Sequence, residues 1–219
     1  MRLKWIAVFA LVMMAVCSAE EPAATKPVIL LTGFEPFGGS TFNTSWMAVS
    51  QFEGQVVAGH TIKTAQLKVV YDKIDGPLAA EIEKLKPVAV ISFGEGSAFI
   101  QLERTARNGY HPQKPKDNEG KVPPRDAIVP GAPNEIPTGL PVDSIIGKLN
   151  TAGIKATDST NAGGYLCNEC FYRLMSIKSA SATRGFIHVP VVQPGNTAGR
   201  RQLRDALRII ITTVIENKK

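Results

Sequence analysis

Three short, nearly continuous apolar runs, "VILLTGF" (28–34), "VAVISFG" (88–94) and "RGFIHVPVV" (184–192), alternate with longer amphipathic stretches. A strand that is apolar along its whole length is buried on both faces, and such strands need helices packed above and below them. The alternation predicts a three-layer α/β/α sandwich around a mixed, mostly parallel twisted sheet. Between the first two runs, 45–53 reads as a short helix, and 55–59 and 62–70 as strands. "YDKIDGPLAAEIEKLKP" follows as a helix that stops before Pro87, with Asp72 as its N-cap. Further helices are expected over "PVDSIIGKLNTAG", "YLCNECFYRLMSIKS" and "AGRRQLRDALRIIITTVIEN", with "IKATDST" a strand between the first two. The polar, Pro-rich stretch from His111 to Pro141 reads as a long connection with at most short hairpins. Nothing divides the chain after residue 19, so residues 20–219 read as one domain.

Ahead of that domain, "MRLKWIAVFALVMMAVCSA" places Arg2 and Lys4 before an apolar run from Trp5 to Val16 and ends in small residues at Ala19. The run is short for a membrane span and is followed by soluble sequence. Residues 1–19 therefore read as a cleaved secretory signal, and the protein as exported, periplasmic or secreted, without stable membrane association once the signal is gone. Cleavage removes two of the cations behind the formal charge of +6. The remaining excess lacks Arg/Lys stripes and interleaved aromatics, which argues against a nucleic-acid partner. Cys17 is lost as well, leaving Cys167 and Cys170, too few to staple a chain of this length as a disulfide framework.

Cys167 lies in "NAGGYLCNECFY", where a glycine turn leads into an apolar helix. A thiol at a helix N-terminus meets the positive end of the helix dipole and free backbone N–H groups, which favour a thiolate and can hold an oxyanion. A single cysteine is also a common small core residue. His188 sits inside the apolar run "GFIHVP", where an imidazole needs a partner, and a histidine with a helix-start cysteine suits thiolate–imidazole hydrolysis. Glu103, in "IQLERTARN", stands in a strand-like pattern that would carry it inward to orient the imidazole; its other reading is a surface ion pair with Arg104 or Arg107. His60, His111 and His188 show no ligand spacing, so a catalytic zinc is not expected.

The loop "TGFEPFGGS" has the frame of a phosphate loop with Gly39 in place of the lysine. Pro36 offers no N–H and Glu35 would repel an anion, so the loop is a poor phosphate cradle. Phe34 and Phe37 instead offer flat apolar walls or plain core packing.

Taken together, "LLTGFEPFGGSTFNTSW", "ISFGEGSAFIQLERTARNGY", "DNEG", "NAGGYLCNECFYRLM" and "GFIHVP" resemble the cysteine-type pyroglutamyl peptidases, in order and spacing, over nearly the whole chain after the signal. The resemblance implies removal of an N-terminal pyroglutamyl residue from peptides, with Cys167 as nucleophile, His188 as general base and then acid, and Glu103 orienting the histidine. It implies no cofactor and no metal, places Phe34, Phe37, Asn43, Glu95, Tyr165 and Leu166 around the substrate, and leaves room for a homo-oligomer. The chain departs from the family pattern at Glu95, where a glutamine is common. The Gly-Gly-Arg expected after it is missing, and Thr44 replaces a common proline after Asn43.

Two other readings remain beside this one. A binding protein could retain the pocket and have lost catalytic rate. Alternatively, "CNEC" has the spacing of a thiol–disulfide oxidoreductase, and in an oxidising compartment a Cys167–Cys170 disulfide would block the nucleophile.

Overall fold

The computed structural model describes residues 26–178 and 182–218, so the segment read as a signal lies outside the described residues. Seven strands form one sheet in the order β2-β3-β1-β4-β9-β5-β8. They are β1 (Val28–Phe34), β2 (Val56–Val57), β3 (His60–Leu67), β4 (Ala89–Ser97), β5 (Ile100–Glu103), β8 (Ala156–Ser159) and β9 (Thr183–Pro190). Neighbours run parallel except at β2/β3 and β5/β9. A separate antiparallel pair joins β6 (Thr105–Arg107), just ahead of the long connection, to β7 (Glu135–Pro137) near its end.

The helices sort to the two faces as the apolar strands require. On one face, α1 (Thr44–Ser50), α3 (Val142–Thr151) and α5 (Thr197–Glu216) cover Ile29, Leu31, Ile91 and Phe93. On the other, α2 (Asp75–Leu85) and α4 (Leu166–Ser176) cover Leu30, Phe34, Val90 and Phe186. Alternate residues of β1 and β4 thus enter opposite cores, the period of two expected of strands buried on both faces. Among the described residues no helix is long and apolar enough to cross a membrane.

Asp72 does not cap α2. The helix begins at Asp75 after Ile74, without a side-chain cap. Asp72 instead turns the chain with φ 57, and its carboxylate is paired with Arg125 and Arg173. At the other end Lys86 takes a left-handed conformation before Pro87, and its N–H closes the last turn onto the Ile82 carbonyl.

The connection from His111 onward is held down by its own polar side chains. Asp117 is buried and accepts from the backbone N–H groups of Tyr71, Glu119 and Lys121 at 3.1, 2.9 and 2.9 Å. Asn118 donates to the Pro36 carbonyl at 2.8 Å and to Glu35 Oε1 at 3.2 Å, which ties "DNEG" to the glycine-rich loop after β1.

Candidate active site

The C-terminal ends of β1 and β4 meet the end of β9 and the start of α4, the crevice where open α/β sheets bind ligands. His188, on β9, lies opposite Gly94 of β4 on one side and Gln101 of β5 on the other. Because β5 runs antiparallel to β9, Glu103 is carried behind the imidazole, where its Oε1 is 2.8 Å from His188 Nδ1. Glu103 is 1% exposed, so this carboxylate faces the histidine and not Arg104, whose partners are Asp143 and Asp158.

Cys167 is the second residue of α4, and no side chain caps that helix. Its thiol is hydrogen-bonded to His188. Burial alone would push the imidazole pKa down, but the hydrogen bonds and charges of Cys167 and Glu103 outweigh it and raise the pKa to about 10. The positive charge of His188 is therefore held between two acidic groups. Space for the sulfur comes from Gly94, since a Cβ there would stand 2.7 Å from Cys167 Sγ.

A cavity of about 180 Å³ opens over the thiol, walled by Phe34, Phe37, Val69, Ala162, Tyr165 and Leu166. Phe37 and Tyr165 face each other with ring centroids 6.3 Å apart, and the Tyr165 hydroxyl donates to the Lys116 carbonyl at 3.0 Å. The glycine-rich loop reaches this position because Gly38 and Gly39 take φ of 61° and 80°, which side-chain-bearing residues disfavour. Glu35, read from the sequence as a repulsive charge, accepts from Val69 N–H at 2.9 Å and so fastens the loop to the end of β3.

Asn43 and Glu95 complete the lining. Asn43 serves the fold more than the cavity: its Oδ1 caps α1 by accepting from Ser45 N at 2.9 Å, and its Nδ2 donates to the Glu35 carbonyl at 3.1 Å. Glu95 Oε2 accepts from Thr44 N at 2.6 Å. All nine residues singled out in the sequence thus gather at one crevice, with Glu103 behind His188 and the other eight around the cavity.

The residues matched by the family model described as pyroglutamyl peptidase are 27–212. The chain belongs to the pyroglutamyl peptidase family. It is 40% identical over 166 residues to the pyrrolidone-carboxylate peptidase of Gloeobacter violaceus, covering 74% of this chain and 80% of that one. The Klebsiella pneumoniae pyrrolidone-carboxylate peptidase is 36% identical over 198 residues, 85% of this chain and 92% of its own. Among solved structures, pyroglutamyl peptidase I of Bacillus amyloliquefaciens superposes with a TM-score of 0.81 at 32% identity, covering 89% of this chain and 99% of that one. A mutant pyrrolidone carboxyl peptidase of Pyrococcus furiosus gives 0.79 at 30% identity, covering 86% and 98%. The family is one of cysteine peptidases that remove N-terminal pyroglutamate.

Several residues around the pyroglutamyl-peptidase crevice escaped the sequence reading. Val69 and Ala162 line the cavity; Val69 was legible only as the tail of an apolar run, and Ala162 gave no signal. Asn168 is buried beside the nucleophile and bridges the Arg107 and Gly109 carbonyls at 2.8 and 2.9 Å, fixing α4 against the strand that follows Glu103. Below it, Glu169 and Arg173 form a buried pair at 2.9 Å that continues to Asp72 and Asp75.

Cys170 is fully buried and its thiol is hydrogen-bonded to Ser92, with burial pushing its pKa up. Both cysteines of "CNEC" are free, and Cys170 occupies the place of a core residue under the nucleophile. Among the described residues no group of three or more His, Cys, Asp and Glu side chains is arranged to hold a metal ion.

Proposed function

We propose that this chain hydrolyses the bond after an N-terminal pyroglutamyl residue, using Cys167, His188 and Glu103. The observation that carries the reading is His188 itself, bonded to Glu103 at 2.8 Å on one side and to the Cys167 thiol on the other, at the floor of an apolar cavity. With the proton on His188, the Cys167 thiolate attacks the pyroglutamyl carbonyl. Uncapped N–H groups in the first turn of α4, that of Cys167 among them, are placed to receive the oxyanion. His188 gives its proton to the departing amine, then takes one from the water that hydrolyses the thioester. Glu103 holds the ring orientation and stabilises the imidazolium throughout.

The substrate ring is small, neutral and amide-bearing. Walls of Phe34, Phe37, Tyr165 and Leu166 supply the apolar contact such a ring requires. Export is part of the same proposal, supported by the signal-like residues 1–19 and by a family match that begins only at residue 27. Mass spectrometry of protein recovered outside the cytoplasm should find a new N-terminus at Glu20.

The deciding experiment is amine release from a fluorogenic pyroglutamyl amide beside a Cys167→Ala control. Turnover that disappears in the control supports the proposal. Folded protein that binds the amide tightly without turning it over would replace it with the binding-protein reading.

A further inference from the structure

The imidazole of His188 meets a different neighbour on each side. Glu103 Oε1 lies 2.8 Å from Nδ1, so the Cys167 thiol, which is also bonded to the ring, takes Nε2. The fully buried Phe186 ring packs against the imidazole with centroids 5.1 Å apart. Cδ2, the carbon bonded to Nε2, faces Gly96. A Cβ built on Gly96 would stand 3.9 Å from Cδ2 and, among the described residues, within 4 Å of no other atom beyond its chain neighbours. Gly96 is exposed, so the side of the ring next to the proton-carrying nitrogen opens to solvent over a residue without a side chain.

A local irregularity of the sheet makes this opening. β4 and β9 keep register as far as Glu95, opposite Val189, and resume at Ser97, opposite Pro190, which leaves Gly96 as the additional residue of a β-bulge. Its φ of +146° is one that side-chain-bearing residues rarely adopt.

The reaction brings one part of the substrate to this place. With the pyroglutamyl ring between the aromatic walls and its carbonyl carbon at Cys167, the nitrogen of the following residue has to come within about 3 Å of Nε2 to receive the proton. The α-carbon and the β-carbon of that residue lie one and two bonds farther out, and the open side is the one over Gly96. Valine, isoleucine and threonine carry two heavy atoms on the β-carbon, so they need the most room close to the nitrogen.

We propose that Gly96 determines which residue is accepted after the pyroglutamyl group: its bare backbone is the floor under that residue and admits β-branched side chains there as readily as none. The inference deepens the cysteine-peptidase reading above and rests on it. A methyl group at position 96 would fill the space beside Cδ2 and exclude the branched residues while leaving room for glycine. Gly96 supplies no reacting group, so the chemistry itself is not altered.

The test lets two peptides, pyroglutamyl-valyl-alanine amide and pyroglutamyl-glycyl-alanine amide, compete in one reaction, with the products counted by mass spectrometry. The ratio of the two kcat/KM values read in this way does not depend on how much of the enzyme is folded, so strain at φ +146° in a variant leaves it interpretable. Wild type should cleave the valyl peptide within about 3-fold of the glycyl one, and Gly96→Ala should lower the valyl-to-glycyl ratio at least about 30-fold. Wild type that cleaves the glycyl peptide and rejects the valyl one would overturn this inference without any variant, and would leave the proposed function standing. An unchanged ratio in Gly96→Ala would overturn the role of Gly96 in the same way. Folded wild type that cleaves neither peptide would overturn the proposed function, and this inference with it.

Discussion

The Cα of Gly94 lies against the sulfur of Cys167, so that a Cβ built on it would stand 2.7 Å from Sγ and 2.8 Å from Phe186 Cζ. Neither neighbour can yield easily. Phe186 is fully buried against Phe171, and the sulfur is fixed by α4 and His188. Gly94→Ala should therefore displace the nucleophile. A shift of about 1 Å is enough to lower kcat/KM about 100-fold. Overpacking should cost about 1–3 kcal/mol in stability, so urea unfolding run beside the kinetics separates a misplaced thiol from an unfolded protein.

The raised pKa of His188 makes a pH prediction with a definite sign. Since the folded value is about 10 against an ordinary 6.5, the charged imidazole stabilises the fold; that contribution is complete below 6.5 and is lost as pH climbs through 10. The proton needed by the leaving amine persists over the same range. The alkaline limb of kcat/KM should accordingly fall near pH 10. In Glu103→Gln a charge that supports the imidazolium is gone, and the limb should move down by at least about one unit while the maximum drops about 100-fold. A limb that stays in place would mean that Glu103 does not support the charge.

How much of this arrangement the sequence could carry is clear from particular residues. β1, β4 and β9 were legible because burial on both faces writes an uninterrupted apolar run, and Cys167 because a glycine turn and an apolar helix bracket it. Asp72 was misread because a carboxylate a few residues before a helix looks locally like a cap. Its actual partners, Arg125 and Arg173, are 53 and 101 residues away. Glu95 and Thr44, 51 residues apart, make the same point. On α4, Asn168, Glu169 and Arg173 are polar by type, yet they are buried because the turn before α2 and strand β6 close over that face. Local pattern reports what a segment needs to bury, and long-range polar pairing is outside its reach.

That buried polar face can be tested through Arg173. Its guanidinium binds Glu169 at 2.9 Å and Asp75 at 3.0 Å and also pairs with Asp72, while Glu169 is wholly buried with Oε2 lacking a partner. Burial drives the Glu169 pKa up, and Arg173 partly offsets it. Arg173→Met leaves the carboxylate without its cation and should lower stability by about 3–5 kcal/mol at neutral pH. The folded-state pKa then rises further above the ordinary 4.5, so the loss should grow as pH increases from about 4.5. Urea unfolding at pH 4.5 and pH 8 should show the variant closer to wild type at the lower pH. Adding Glu169→Gln should recover part of the deficit, as the isolated charge is gone.

In "CNEC", Cys167 lines the cavity and Cys170 lies in the core beneath it. A resolving cysteine must ionise and reach its partner, whereas Cys170 is fully enclosed, hydrogen-bonded to Ser92, and held toward the neutral thiol by burial. Ser92 is fixed in turn by Thr32 at 2.8 Å, so the thiol belongs to a buried polar chain under the sheet. Cys170→Ala should keep kcat/KM within about 3-fold and cost about 1 kcal/mol for the small cavity. Its response to reductant should equal that of wild type, because any oxidation would fall on Cys167 alone. A wild type that loses activity without reductant while Cys170→Ala does not would show that the two sulfurs pair, and would restore the redox reading of the motif.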